Sequence, residues 1–215
     1  MVTEVIKIDN HGNGVKQALS VTEKAAEYGE LDHKESIRLR LLSEELIGLM
    51  RGIAGDISSD FWIEQSEKNY NLHLKSEIFM NQELHKQFLE VATNGQNSAV
   101  KGFMGRLRET IAVALLPTGT DYSSAHNVPL GFMSMGIVDS YQQSVDAYMW
   151  SLQNYKESLN SDEHKSDETE EDRNERAKAA WDELEKSVVA NIADDVKVSV
   201  KGAEVEIVIN KNFDN

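Results

Sequence analysis

The hydrophobic positions of the chain change period several times along its length, and each change marks a predicted element. Residues 3–9 read as a first strand, with Val5 and Ile6 as its apolar members. The turn His11-Gly12-Asn13-Gly14 breaks that pattern and opens a helix near Val15, whose stripe includes Leu19 and Ala26 and which ends around Gly29. Asp32 and Glu35 have the spacing of a capping box, the reciprocal pairing between a helix N-cap and the third helical residue. Behind them Leu39, Leu42, Leu46, Leu49 or Met50, and Ile53 recur at intervals of three and four. That is a strong amphipathic helix, with Gly52 and Gly55 as its stop.

A hairpin is predicted next. Residues 61–65 form its first arm, Glu67-Lys68-Asn69 its turn, and in the second arm Tyr70, Leu72, Leu74 and Ile78 lie opposite His73 and Lys75. Two helices follow over 81–92 and 98–116, the second with a core face of Val100, Phe103, Met104, Leu107 and Ile111. Both prolines, Pro117 and Pro129, fall in a long loop over 117–131. Residues 135–159 read as another helix, lined by Tyr141, Val145, Tyr148, Met149 and Leu152; Met149, Trp150 and Tyr155 offer either core or a partner surface. Residues 160–176 are acidic and almost free of apolar side chains, so they bury too little to offset the entropy of ordering and are expected to form a mobile linker. A helix through Trp181, Leu184, Val188 and Ile192 leads to a closing hairpin, 196–200 and 203–209, with Gly202 at its turn. Helices and strands are segregated along the chain. This predicts an α/β two-layer sandwich of the α+β class, with a mostly antiparallel or mixed sheet and helices on one face. The expected organisation is a single domain over 1–215, with 81–159 as a helical insertion or lid-like region.

Charge narrows the partners. The 215 residues include 22 basic and 37 acidic side chains, a formal charge of −15. Such a chain repels phosphate backbones and anionic lipids, so nucleic acid and membrane are not expected; the acidity reads first as solubility, and second as suited to a partner with a basic protein surface. With no cysteine, disulfides, thiolate zinc sites and cysteine nucleophiles are excluded. The start lacks the pattern of a secretory signal and no run of about 18 apolar residues occurs, so the expected location is the cytoplasm. The histidines at 11, 33, 73, 85, 126 and 164 show no metal-ligand spacing and read as solvent-facing, and no metal site is predicted from them. Asp121, Ser123, Ser124 and His126 share one loop, whereas a nucleophilic triad needs partners held by separate rigid elements. The glycines of the 11–14 turn precede a helix, where anions can bind, but alone they are a weak phosphate signal.

The run Ser43-Glu44-Glu45-Leu46-Ile47-Gly48-Leu49-Met50-Arg51 on the long helix resembles the N box of the histidine-kinase-like ATPase (GHKL) family, in particular of anti-sigma-factor serine kinases. In that family the helix is followed by a hairpin, a variable lid and a final hairpin, the order predicted here. The resemblance implies that Glu44 is the catalytic general base and that Arg51 pairs with phosphate. Gly48 takes the place of the family's Mg²⁺-binding asparagine, and it has no side-chain oxygen for a hard cation. Taking Glu45 as the base instead places Leu49 at the metal position. Where the family's Asp-x-Gly-x-Gly box reads adenine, this chain has Lys75-Ser76-Glu77-Ile78-Phe79-Met80-Asn81, and Glu77 is the nearest carboxylate. The pairs Gly102/Gly105 and Gly131/Gly136 echo the family's glycine-rich phosphate box. The resemblance thus implies ATP and Mg²⁺ as cofactors and serine/threonine kinase-like regulation of a partner protein, with a homodimer as one assembly. The departures imply a second reading, a pseudo-ATPase adaptor that binds no nucleotide. An unrelated α+β enzyme is the third.

Overall fold

A computed structural model of the chain describes residues 1–49, 57–79, 103, 107, 111, 115, 147–160 and 170–214. In chain order the elements are β1 (Ile6–Asp9), α1 (Val15–Tyr28), α2 (His33–Gly48), β2 (Ser58–Ser66), β3 (Asn69–Glu77), β4 (Ala147–Ser151), α3 (Leu152–Asn160), α4 (Glu170–Lys186), α5 (Val188–Ile192), β5 (Asp195–Lys201) and β6 (Glu204–Asn212). The strands form one six-stranded sheet in the order β1-β2-β3-β6-β5-β4, and every neighbouring pair is antiparallel. The helices lie against one side of it, so the fold is an α+β two-layer sandwich.

Period-two patterning builds the sheet. Along β2 and β3 the residues Phe61, Ile63, Tyr70, Leu72 and Leu74 are buried, and their neighbours in sequence face out. Ser66 pairs with Asn69, which leaves a two-residue turn whose first residue, Glu67, takes a φ of 56°. Primed hairpin turns require a positive φ at that position. Lys201 pairs with Glu204 across Gly202 and Ala203 in the same way. The two hairpins meet along β3 and β6, where Leu72 lies opposite Ile209 and Leu74 opposite Ile207.

Two helices sit on this apolar face. α1 begins at Gly14, whose φ of 77° suits glycine, and an added Cβ there would stand 2.0 Å from the Lys7 carbonyl oxygen. Asp9 closes the preceding turn by accepting hydrogen bonds from the backbone N–H groups of His11 and Asn13. The Asn13 side-chain amide also donates to Asp9, and this bond first of all holds its carboxyl below the usual range. α2 starts with the predicted capping box: Asp32 accepts from the Glu35 N–H and Glu35 accepts from the Asp32 N–H, both at 2.8 Å. Its stripe of Leu39, Leu42, Leu46 and Leu49 is buried. At the end of α1, Gly29 gives Tyr70 room to reach the Ala25 carbonyl at 3.4 Å.

Several expectations need correction. The apolar members of β1 are Ile6 and Ile8, and Val5 is 57% exposed. Before Ile6 the ladder is irregular because the Thr3 hydroxyl, rather than a backbone carbonyl, accepts from the Ile63 N–H at 2.9 Å. Residues 147–151, expected as helix within the 81–159 insertion, form β4 on the edge of the sheet. There Trp150 is buried opposite Val198, while Met149, opposite Ser199, is 62% exposed. An aromatic-rich segment beside the free edge of β5 gains more from a ladder and a pleated, half-buried surface than from a helix. The helix starts at Leu152, where Asp195 accepts from the Gln153 N–H and the Ser151 hydroxyl from the Asn154 N–H. Tyr155 joins the core with Trp150. Residues 170–176, expected within the mobile linker, belong to α4. The last helix is broken at Ser187, whose hydroxyl accepts from the Ala190 N–H at 3.2 Å, so Val189 rather than Val188 turns inward. Phe103, Leu107 and Ile111 are helical and buried as expected. Met50, Ile53, Val100, Met104, Tyr141, Val145, the stop at Gly52 and Gly55, the 81–92 helix and the 117–131 loop lie outside the described residues.

Two measurements test this packing. A Cβ on Gly29 would stand 1.8 Å from the Tyr70 hydroxyl and 2.4 Å from the Gln65 amide nitrogen. Gly29→Ala should therefore cost about 1–3 kcal/mol in urea unfolding, and adding Tyr70→Phe should recover part of that loss. The Tyr70 phenol is pushed up from 10.0 to about 12, first by burial and then by the charge of Glu35. Its stabilising effect is complete below the unfolded value and is lost as pH rises from there through the folded one. Wild type should lose more stability across that window than Tyr70→Phe does.

Candidate functional site

The residues that carry the family resemblance sit on the second half of α2. Leu39, Leu42, Leu46 and Ile47 are buried, and α2 contacts α1, β3, β6 and α5. That packing fixes where every other side chain of the helix points. Ser43 turns inward and is fully buried. Its hydroxyl lies 3.0 Å from that of Thr22 on α1, and the two are within reach of the Leu39 and Ala18 carbonyls, respectively. The serine of the motif is therefore a polar link between the two helices.

Glu44 lies on the exposed side of α2. It accepts a hydrogen bond from Arg40 Nε at 3.0 Å, and Arg40 also bonds Glu23 of α1. The candidate base is thus the end of a Glu23–Arg40–Glu44 ladder. Exposed pairs of this kind contribute little to stability because water screens them. Glu45 is half-buried one residue on. Gly48 is the last residue of α2, and among the described residues an added Cβ would meet nothing within 4 Å. The position has room for a side chain but presents no oxygen. Arg51 and the glycine pairs at 102/105 and 131/136 lie outside the described residues.

The other carboxylate named from the resemblance is Glu77. It is exposed at the end of β3, in register with Glu204 and on the side of the sheet that faces away from α2. Glu44 and Glu77 therefore do not share a face. The residue of β3 that turns toward the helices at this end is Ser76, whose hydroxyl lies 2.6 Å from that of Ser59 on β2, both buried. One-residue alternation decides this: a carboxylate at 77 cannot enter the helix layer without flipping the whole strand.

The far side of the sheet carries a cluster that the sequence reading took for a solvent-facing histidine. The His73 side chain is only 12% exposed. Its ring stacks on Trp62 with centroids 4.6 Å apart and planes 9° from parallel. Nδ1 is 3.1 Å from Glu206, and Nε2 is 3.8 Å from Glu64. Beside it Lys75 pairs with Glu204 at 2.9 Å, a bond that holds the ammonium pKa above its usual value. The signal for this cluster was available: closing the hairpin on Glu67 and Lys68 sets Trp62 opposite His73. Among the described residues no group of three or more His, Asp or Glu side chains is arranged to hold a metal ion, and no helix is long and apolar enough to cross a membrane.

No protein-family model, curated protein or solved structure matches the chain.

The open surroundings of Gly48 lead to a test. Gly48→Ala should stabilise the protein by about 0.5–1 kcal/mol, because it removes backbone freedom from the unfolded chain without a clash. Thermal unfolding followed by circular dichroism would measure it; a loss of stability would mean that the site is closed.

Proposed function

We propose that this chain is a regulatory protein of the histidine-kinase-like ATPase type that binds an adenine nucleotide at the C-terminal half of α2 and acts on a partner protein. The observation that carries the reading is the order of elements around that helix. α2, bearing Ser43-Glu44-Glu45-Leu46, packs against β3 and β6. Among the described residues a hairpin comes next, and the closing hairpin returns to set its last strand beside β3. In this reading Glu44 polarises the attacking hydroxyl after exchanging Arg40 for substrate, and Arg51 pairs with phosphate. α2 itself offers no side-chain oxygen for Mg²⁺ at Gly48, so the helix does not fit the family's metal link. The net charge of −15 favours a partner with a basic surface.

A second reading, the adaptor that binds no nucleotide, is favoured by three particular features. Gly48 has no ligand oxygen, the Glu44 carboxylate is paired with Arg40, and Glu77 faces away from α2. In that reading the sandwich is retained as an interaction module.

Unfolding with and without millimolar Mg-ATP and Mg-ADP separates the two. A ligand at 100 times its Kd stabilises by about 2.7 kcal/mol, which raises Tm by about 5 °C or more for a chain of this size. The nucleotide reading expects that rise, and expects Glu44→Ala to reduce it. Unchanged Tm together with no heat of binding in calorimetric titration would leave the adaptor.

A further inference from the structure

We infer that the turn leading into α1 is a site of spontaneous covalent modification, in which the Gly14 backbone nitrogen displaces the side-chain nitrogen of Asn13 and the neutral amide that serves Asp9 becomes a carboxylate. The inference does not depend on nucleotide binding. Two packing requirements bring the reacting residues together. Position 14 takes a φ of 77°, and an added Cβ there would stand 2.0 Å from the Lys7 carbonyl oxygen, so glycine is the residue that fits. Position 13 supplies a side-chain donor to the Asp9 carboxylate, and the Asn13 amide does so at 2.6 Å. The turn thereby sets asparagine before glycine, and Asn13 is exposed to water. Gly14 has no side chain to shield its nitrogen, and among the described residues its N–H has no hydrogen-bond partner. Asparagine is a thermolabile residue, and a following glycine is the neighbour that hinders ring closure least.

The step balances with water as its only co-reactant. The Gly14 nitrogen gives up its proton and bonds to Asn13 Cγ. The bond from Cγ to Nδ2 breaks, and Nδ2 leaves as ammonia, carrying that proton. Water then opens the cyclic imide at either carbonyl. One opening leaves aspartate at position 13; the other leaves isoaspartate, whose main chain runs through the side-chain carbons and is longer by one methylene. Nothing is oxidised or reduced, and either product adds one negative charge.

Asp9 restrains this step and is then affected by it. Its Oδ1 accepts from the N–H groups of His11 at 3.0 Å and Asn13 at 2.9 Å, and its Oδ2 accepts from the Asn13 amide. While that last bond holds, the Asn13 side chain is tied to Asp9 and is not free to swing toward Gly14. After the step the amide donor is gone and a second carboxylate stands beside an ionised Asp9. The positive end of the α1 dipole favours the added charge. Screening in an exposed turn weakens that effect, whereas the lost charge-assisted bond and the inserted methylene act at contact. The turn that seats Gly14 against Lys7 therefore loosens. With it goes the bond from the Ala18 N–H to the Gly14 carbonyl, which closes the first turn of α1.

The test follows Asn13 in the full chain, incubated folded and, in parallel, unfolded in guanidinium chloride at the same mildly alkaline pH. Mass spectrometry of the tryptic peptide 8–16, with fragmentation, reads the exchange of ammonia for water at Asn13. It also separates that residue from the other Asn-Gly pair, Asn94-Gly95, which lies outside the described residues. The bond to ionised Asp9 should slow the folded reaction by about tenfold, so about half of the folded Asn13 should be converted after about ten half-lives of the unfolded reaction. Asp9→Asn keeps an oxygen for the two backbone N–H groups but sets an amide nitrogen where Asn13 needs an acceptor, and should recover most of that factor. The converted chains, separated by anion exchange on their added charge, should unfold about 2–4 °C below fresh protein. Asn13 that stays wholly intact in the folded chain over that time would overturn the proposal, and this comparison needs no variant. So would a folded Asp9→Asn chain that reacts no faster than wild type, or converted chains whose Tm is unchanged.

Discussion

The pairing of β3 with β6 is the constraint on which the rest of the structure depends. It joins a hairpin made early in the chain to one made at its end, over a register nine residues long. The Asn210 side-chain amide donates at 2.8 Å to the oxygens of Asn69 and Asn71, residues about 140 positions away in sequence. Closing so long a loop costs entropy, although that cost grows only slowly with length. It is met at the seam itself, where Leu72, Leu74, Ile207 and Ile209 come together and are almost completely buried. Without this seam each hairpin would be a two-stranded ribbon, marginally stable at best. With it there is an apolar floor wide enough for α1 and α2.

The floor in turn decides what α2 can do. A helix laid across β3 and β6 on Leu39, Leu42 and Leu46 has one rotation that buries its stripe. That rotation sends Ser43 into the contact with α1, where it meets Thr22, and sends Glu44 outward to Arg40. Neighbouring residues in one motif therefore have opposite physical roles, one locking two helices together and the other exposed to any ligand or partner that approaches. The polar link between Thr22 and Ser43 is fully satisfied, which is what makes a buried hydroxyl pair tolerable in an apolar layer.

The side of the sheet away from the helices is organised by the same registers. Because antiparallel neighbours place directly opposed residues on the same side, the hairpin that buries Phe61, Ile63, Leu72 and Leu74 inside must bring Trp62 to His73 and Asp60 to Lys75 outside. Opposite charges and aromatic pairs at such positions each add modest stability. They also give the outer surface a defined pattern, with the aromatic stack held between Glu64 and Glu206. The inner and outer faces are thus two consequences of a single alternation.

Local chemistry determined much of this protein from sequence. The capping box at Asp32 and Glu35, the stripe of α2, the breaks at Gly14 and Gly29 and both hairpins follow from interactions among residues close in the chain, and they appear where the pattern placed them. Antiparallel sheet and one-sided helices also followed from the segregation of elements. Tertiary structure decided what local pattern leaves degenerate. The segment at 147–151 fits a helical stripe or a strand equally well by period, and the free edge of β5 made it a strand. The placement of Glu77 away from Glu44 depends on which side of the sheet the helices cover, a fact no spacing along β3 contains. Local hairpin closure brings Trp62 and Glu64 to His73, but its partner Glu206 came from β6, which only the long-range register brings to the ring. Short-range hydrogen bonding and periodicity are written in neighbouring residues, whereas faces, edges and cross-strand partners exist only once distant segments have paired.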